Sequence, residues 1–334
     1  MSARRPTLSA VADAAGVSLK TASRVLNDEP NVAAETRERV RAAAEALGFR
    51  RNRAAADLAR GGTSTLVGFV TADLANTFYS AVAAGLEREL RESGLQLVSA
   101  SSAEDPEQEQ QLAEAFVERR VAALVVAPSS SDHSYLAPEV AAGLPLVLID
   151  RPARGVDADT VVIDNRGGTA SAVEHLLAGG HRRIAMVGDL PHLWTFQERR
   201  DQFLESMRAA GVADAERLVR DGAHDSATAR RLVAELLALP EPPTAIVAAN
   251  NKITVGALHA LRGVESDLPA LVGFDDFELA DLLGVTVVSY DADALGCEAA
   301  RLAMARMDDG DGGTTHRVIP TRLVARGSGE RPPA

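Results

Sequence analysis

Apolar residues recur at helical spacing over the first fifty positions and in short continuous runs over the rest, and this change of period near position 65 divides the chain. In the first part Leu8, Val11, Ala12 and Ala15 fall on one helix face, with Thr7 before them as N-cap and Gly16 after them as the stop. Val17 plugs the angle to a second helix, which Ser18 caps and which runs to about Asn27 with Ala22, Val25 and Leu26 on its apolar side. Asp28-Glu29-Pro30-Asn31 breaks the pattern, and a third helix over 34–47 carries Val40, Ala43, Ala44 and Leu47 as its stripe, ending on Gly48. The pattern predicts a three-helix headpiece over 1–49 containing a helix-turn-helix.

From Thr65 onward strands alternate with helices. Strands are expected at 66–71, 95–100, 122–127 and 144–149, with helices at 78–93 and 108–119 between them. After Val161-Val162-Ile163 the alternation begins again: helix 168–178, strand 184–187, helices 197–210 and 226–238, strand 245–248, helix 253–263 and strand 271–273. Strand 285–289, helix 295–307 and a last strand near 318–324 complete it. Apolar strands in strict alternation with helices imply parallel sheets covered on both faces. The predicted class is α/β, with a headpiece at 1–49, a hinge helix or linker at 50–63, and a two-lobed body at 64–326. Lobe 1 takes about 64–163 and 291–318, lobe 2 about 164–290 and 319–326, with crossovers near Asp164 and Tyr290. The Gly/Ser/Pro-rich segment 327–334 reads as a disordered tail, without the heptads that build tetramers.

Composition adds a compartment and a polarity. No apolar run is long enough to span a membrane, and the first residues, with Arg4, Arg5 and Pro6, lack the apolar core of a signal peptide, so a cytoplasmic protein with no membrane partner is expected. Cys297 is the single cysteine, which excludes a disulfide scaffold and cysteine-rich zinc sites. The net charge of −12 is unevenly spread: residues 1–62 hold 11 Lys+Arg against 7 Asp+Glu, a net of +4, and the remainder carries −16. A basic head on an acidic body suits a protein that brings one end to a polyanion.

The outer side of the second helix, Leu19, Lys20, Thr21, Ser23 and Arg24, is of the kind that enters a major groove by its N-terminal turn. Leu19 is unusual among such readers and suits a thymine methyl. Lys20 stands out because Lys252 is the only other lysine. In the linker, the alanine-rich stretch after Arg53 permits a short helix that forms only on DNA, with Leu58 as a wedge in the minor groove.

The run Thr7-Leu8, Val11-Ala12, Ala15-Gly16-Val17-Ser18, Thr21, Ser23-Arg24-Val25-Leu26-Asn27, followed by Thr36-Arg37, Gly48-Phe49 and Asn52, resembles the pattern of the lactose repressor (LacI/GalR) family of bacterial transcription regulators. The resemblance implies a body like a periplasmic sugar-binding protein, two lobes around a cleft. It also implies a DNA-binding set of Thr7, Ser18, Leu19, Lys20, Thr21, Ser23, Arg24, Asn27, Thr36, Asn52, Arg53, Ala55, Leu58 and Ala59. Two headpieces in a homodimer would meet a pseudo-palindromic operator in double-stranded DNA.

Ligands of such folds sit at the carboxyl ends of strands. Asp73, Asn76 and Phe78 follow the first strand, where Thr77 stands for the family's proline, and Asp150-Arg151 follows another. In the second lobe Glu198-Arg199 through Phe203 resembles the family's Glu-Arg-x-x-Gly-Phe with Gln202 for glycine, Ala249-Asn250-Asn251 its Ala-Asn-Asp, and Gly273-Phe274-Asp275-Asp276 matches. The effector set is therefore Asp73, Asn76, Phe78, Asp150, Arg151, Arg199, Asn250, Asp275 and Tyr290, with Trp194 and His224 as further candidates. Carboxylate, amide and guanidinium opposite an aromatic ring suit a polyhydroxyl compound, so a sugar or sugar derivative is the expected effector and a purine or nucleoside the alternative.

Two other classes compete: a free-standing sugar-binding module, which would lack the headpiece, and a sugar-metabolising enzyme. There is no Gly-x-Gly-x-x-Gly after the first strand, no phosphate-cradling Gly-Lys-Ser/Thr loop and no Gly-x-Ser-x-Gly elbow. The seven histidines show no metal-ligand spacing. No catalytic residue, metal or cofactor is expected.

Overall fold

A computed structural model describes residues 6–50, 64–264, 267–308 and 312–333. The chain forms two compact units, divided between Ser64 and Thr65.

The first unit is built from α1 (Leu8–Ala15), α2 (Leu19–Leu26) and α3 (Ala34–Ala46). The Thr7 hydroxyl accepts from the Ala10 amide at 3.2 Å and begins α1. Gly16, in the left-handed region at φ 62°, ends it, and the Val17 amide reaches back to the Ala12 carbonyl at 3.0 Å. That turn demands glycine because a side chain is strained at such a φ even where space is open. Val11, Ala12, Ala15, Ala22, Val25, Val40 and Ala44 close a small core, with Val17 packed against it. Leu47 departs from its expected place in the stripe and is 40% exposed. The helix stops at Ala46, Gly48 turns left-handed, and Phe49 folds back with its amide on the Ala44 carbonyl to pack where Leu47 was expected.

The second unit contains two six-stranded sheets. In chain order its elements are β1 (Leu66–Thr71), α4 (Thr77–Glu92), β2 (Gln96–Ser101), α5 (Pro106–Glu118), β3 (Ala123–Val126), α6 (Ala137–Ala141), β4 (Leu146–Ile149) and β5 (Asp159–Ile163). There follow α7 (Asn165–Ala178), β6 (Ile184–Val187), α8 (Trp194–Ala209), β7 (Val219–Arg220), α9 (Ser226–Leu237), β8 (Ala245–Ala248), α10 (Asn251–Leu261), β9 (Ala270–Phe274) and β10 (Thr286–Ser289). The chain ends with α11 (Ala292–Asp308), β11 (His316–Ile319) and β12 (Arg322–Val324). Sheet order is β11-β5-β4-β3-β1-β2 in one lobe and β12-β10-β9-β8-β6-β7 in the other. The core of each is the same parallel order, in which the direction of winding reverses between β1 and β3 and between β6 and β8. Strands β3, β4, β6, β8 and β9 are buried along their whole length, as the continuous apolar runs require.

The last strand expected near 318–324 is two strands. Pro320 and Thr321 break it, so that β11 pairs parallel with β5 of the first sheet and β12 antiparallel with β10 of the second. The tail is also corrected: residues 327–333 are packed on the second lobe, not disordered. The Ser328 hydroxyl donates to the Leu271 carbonyl at 2.6 Å and accepts from the Thr286 amide at 2.9 Å, and Glu330 pairs with His175 at 2.6 Å. His181 holds the Arg331 carbonyl at 2.8 Å. These bonds satisfy buried backbone groups at the sheet end, which a polar, glycine-rich segment can do as well as an apolar one.

In the first lobe α4 and α11 cross with their backbones in contact. A Cβ added to Gly85 would lie 2.1 Å from the Asp293 carbonyl oxygen, and one added to Gly296 would lie 2.1 Å from that of Val82. Arg88 with Asp293 and Arg301 with Glu89 clamp the rim of the crossing.

Candidate functional site

In the first unit the outer face of α2 is presented by capping at both ends. Ser18 accepts from the Thr21 amide at 3.1 Å and its hydroxyl bonds the Thr21 hydroxyl at 2.8 Å, leaving Leu19, 54% exposed, and Lys20 at the open N-terminal turn. Thr7 is exposed at the start of α1, and Thr36 is half-buried on α3. Ser23 is half-buried and accepts from Asn27 at 3.3 Å. Arg24 is engaged within the headpiece: its Nε meets Glu29 at 3.3 Å and another of its nitrogens donates to the Pro30 carbonyl at 2.9 Å. Glu29 also accepts from Asn27 at 3.4 Å. Asn52, Arg53, Ala55, Leu58 and Ala59 lie outside the described residues.

In the second unit a cleft of about 560 Å³, counting its open mouth, lies between the carboxyl ends of the two sheets. Asp73, Asn76, Phe78, Asp150, Arg151, Arg199, Asn250, Asp275 and Tyr290 all line it. All but Arg199 follow a strand end or lie at the start of the next helix, which is where a doubly wound sheet opens its crevice, and Arg199 reaches it from the second turn of α8. Asn76 caps α4 and Asn250 caps α10 through their side-chain oxygens. Tyr79, Glu104, Asp189, Phe196, His224 and Lys252 also line it. Trp194, at the start of α8, is not among the lining residues, whereas His224 is.

Asp150 after β4 and Asp275 after β9 occupy equivalent places in the two lobes and share an unusual backbone, at φ 66° and 68°. Each accepts a tyrosine hydroxyl, Tyr79 on Asp150 at 3.1 Å and Tyr290 on Asp275 at 2.8 Å. Non-glycine residues held left-handed at a cleft mark a position where local comfort has yielded to aim. Burial pushes the Asp150 carboxyl up against the pull of Arg151, and pushes both tyrosine hydroxyls well above their ordinary value.

The cations are held in place by acids. Arg151 makes a two-pronged pair with Glu104, both bonds at 2.6 Å, and donates to the Pro128 carbonyl at 2.9 Å. Its Nε stands 3.2 Å from Asp150 without the alignment of a hydrogen bond. Arg199 donates to Asn165 at 2.8 Å and to the Ala249 carbonyl, and its guanidinium carbon lies 3.7 Å from the Phe274 ring centroid. Asp189 accepts from Asn250 at 2.8 Å and from His224 Nδ1 at 2.8 Å, and the carboxylate holds the imidazole above its ordinary value. Polar contacts bridge the lobes: Lys252 meets Asp73 at 2.6 Å, and Asn251 donates to Asn76 at 2.9 Å and to the Thr77 hydroxyl at 3.4 Å. Lys252 is marked in the chain only by its rarity, and Glu104 and Asp189 only as acids just beyond strand ends.

No metal-binding cluster of His, Cys, Asp and Glu occurs among the described residues, and none of the described helices is long and apolar enough to cross a membrane.

Comparison with known proteins gives a consistent result. Residues 7–52 match the family model described as bacterial regulatory proteins, lacI family, and residues 173–329 match a periplasmic binding protein-like domain. The chain is 30% identical over 331 residues to the HTH-type transcriptional regulator GalR of Escherichia coli (strain K12), covering 98% of this chain and 96% of that one. Among solved structures, a complex of the transcriptional regulator CelR with cellobiose is 30% identical, with a TM-score of 0.71 over 97% of this chain and 100% of that one. The lac repressor dimer bound to operator and the anti-inducer ONPF is 26% identical, with a TM-score of 0.80 over 98% of this chain and 100% of that one.

Proposed function

Since the chain belongs to the LacI family of bacterial regulatory proteins, and is a transcription regulator rather than an enzyme, we propose that it is an operator-binding repressor whose DNA affinity is switched by a sugar or sugar derivative in the interlobe cleft. The observation that carries the DNA half of this reading is the open N-terminal turn of α2, where Leu19 and Lys20 stand exposed beside the Ser18 cap. The cleft supports the effector half. Paired carboxylates, the Asn250 amide and the Arg199 guanidinium line the same cleft as Phe78 and Phe196, a mixture of polar forks and apolar rings that suits a pyranose. The cellobiose found in CelR is of this chemistry.

The mechanism follows from where the lobes touch. A ligand that bridges Asp150 and Asp275 changes how far the lobes close, and closure is the two-state element that reaches the headpiece through residues 50–63. Two such chains form a homodimer on a pseudo-palindromic site. Self-association is supported by Leu279, Leu282 and Leu283, exposed by 52%, 80% and 55% on one short segment. A monomer by analytical ultracentrifugation at concentrations that bind operator would count against the dimer.

The test of the whole reading is fluorescence anisotropy with DNA from upstream of the protein's own gene. Sequence-specific binding that weakens steeply with salt, and that one sugar relieves, is the expected result. Binding no tighter than to random DNA would defeat it.

A further inference from the structure

Every cationic side chain that lines the cleft stands within ion-pair distance of a carboxylate of the same cleft. Arg151 is taken by Glu104 and Asp150, Lys252 by Asp73 at 2.6 Å, His224 by Asp189 at 2.8 Å, and Arg199 stands 3.9 Å from Asp275. Four basic side chains thus face five acidic ones, Asp73, Glu104, Asp150, Asp189 and Asp275. A phosphate ester entering this cleft meets no cation without an acid already on it. To bind, it must draw a cation from its partner and leave that carboxylate beside a dianion.

An uncharged hydroxyl faces no such conflict. It accepts from the Lys252 ammonium, which has three protons and one carboxylate partner, and from the Arg199 nitrogen that lies beyond hydrogen-bond distance of Asp275. It donates to the free lone pairs of the carboxylates without disturbing their ion pairs. We propose that the effector is an uncharged polyhydroxyl compound, a free sugar and not a phosphorylated or acidic one, and that the Asp73–Lys252 pair is what excludes the anion. This rests on the sugar reading above and narrows it.

The experiment is titration calorimetry on the full chain with glucose, galactose, ribose and cellobiose, with glucose 6-phosphate, galactose 1-phosphate and ribose 5-phosphate, and with adenine and guanine. A free sugar should bind, and bind at least about tenfold more tightly than its own phosphate ester. In Asp73→Asn, which leaves the Lys252 ammonium unpaired, that ratio should shrink several-fold. An ester that binds the parent as tightly as the free sugar overturns the inference and leaves the sugar reading standing. A ratio unchanged in Asp73→Asn overturns the role of the pair, since exclusion would then be steric. Binding of a purine with no response to any sugar defeats the sugar reading itself, and the inference with it.

Discussion

Lys252 of one lobe and Asp73 of the other meet at 2.6 Å across the cleft, a link between residues 179 positions apart in the chain. Beside it Asn251 reaches Asn76 at 2.9 Å. These polar contacts lie beside an aromatic one, in which the Phe78 ring meets Tyr290 with centroids 5.8 Å apart. Burial of the Lys252–Asp73 pair is incomplete, so its contribution is modest, about 0.5–1 kcal/mol after solvent screening.

Lys252→Met should lower thermal stability by no more than a few degrees while loosening the lobes. Amide hydrogen exchange is the sensitive measurement: the start of α4 near Phe78 and the start of α10 near Ile253 should exchange faster, with α11 unaffected. Equal exchange in variant and parent would show that the pair does not hold the lobes.

The His224–Asp189 pair gives a pH dependence with a defined sign. Asp189 holds the imidazole above its ordinary value of 6.5, and the carboxylate, pushed up by burial but pulled down by His224, the Leu190 amide and Arg151 together, is held below its ordinary value of 3.8. A raised histidine contributes stability that is full below 6.5 and is lost as pH rises through its folded value; a depressed aspartate contributes stability present above 3.8 and lost as pH falls through its folded value. The pair therefore stabilises the protein between those limits. His224→Gln should lower the melting temperature most near pH 5–6 and least above pH 8, and a difference that grows with rising pH would refute the pairing.

Gly296 lets α11 approach the backbone of α4. Its would-be Cβ lies 2.1 Å from the Val82 carbonyl oxygen and 2.9 Å from the Leu86 amide, both backbone atoms of a helix that cannot swing aside. Gly296→Ala should force α4 and α11 apart and cost about 1–3 kcal/mol, although alanine favours helix. A thermal midpoint equal to the parent's would mean the crossing is looser than described.

Much of this was legible in sequence because it is local. Thr7, Gly16 and Ser18 cap within three residues of what they cap, so the headpiece turn reads directly from the chain. Most of the nine cleft residues are readable for a different reason: strand ends are marked by the end of an apolar run, and the fold brings strand ends together, whereas Arg199, inside α8, is readable only through the resemblance of Glu198-Arg199 to the family's Glu-Arg motif. What was not legible is pairing over distance. Nothing near Arg151 announces Glu104, 47 positions earlier, and nothing near Lys252 announces Asp73. The order of the tail is hidden for the same cause, since Ser328 and Glu330 find their partners at Leu271, Thr286 and His175. Leu47 leaves the core because the left-handed Gly48 turns the chain and brings Phe49, two residues on, against it instead.

Arg24 is tied down inside the headpiece. Its Nε is 3.3 Å from Glu29, and its other bond goes to the Pro30 carbonyl, so the charge that α2 offers a phosphate at this position is already partly neutralised from within the headpiece. Both side chains are more than a third exposed, so the pair adds little to stability. Its effect falls on binding instead. Glu29→Gln should leave the fold intact and free the guanidinium for the backbone of DNA, raising affinity for random duplex several-fold and steepening the plot of log K against log salt by about one unit. Affinity for the specific operator should rise less, because the added contact carries no sequence information, and the ratio of specific to non-specific binding should fall. Anisotropy titrations at three salt concentrations read all three quantities. If the slope is unchanged, Arg24 stays on the Pro30 carbonyl when Glu29 is removed, and its place in the headpiece is structural.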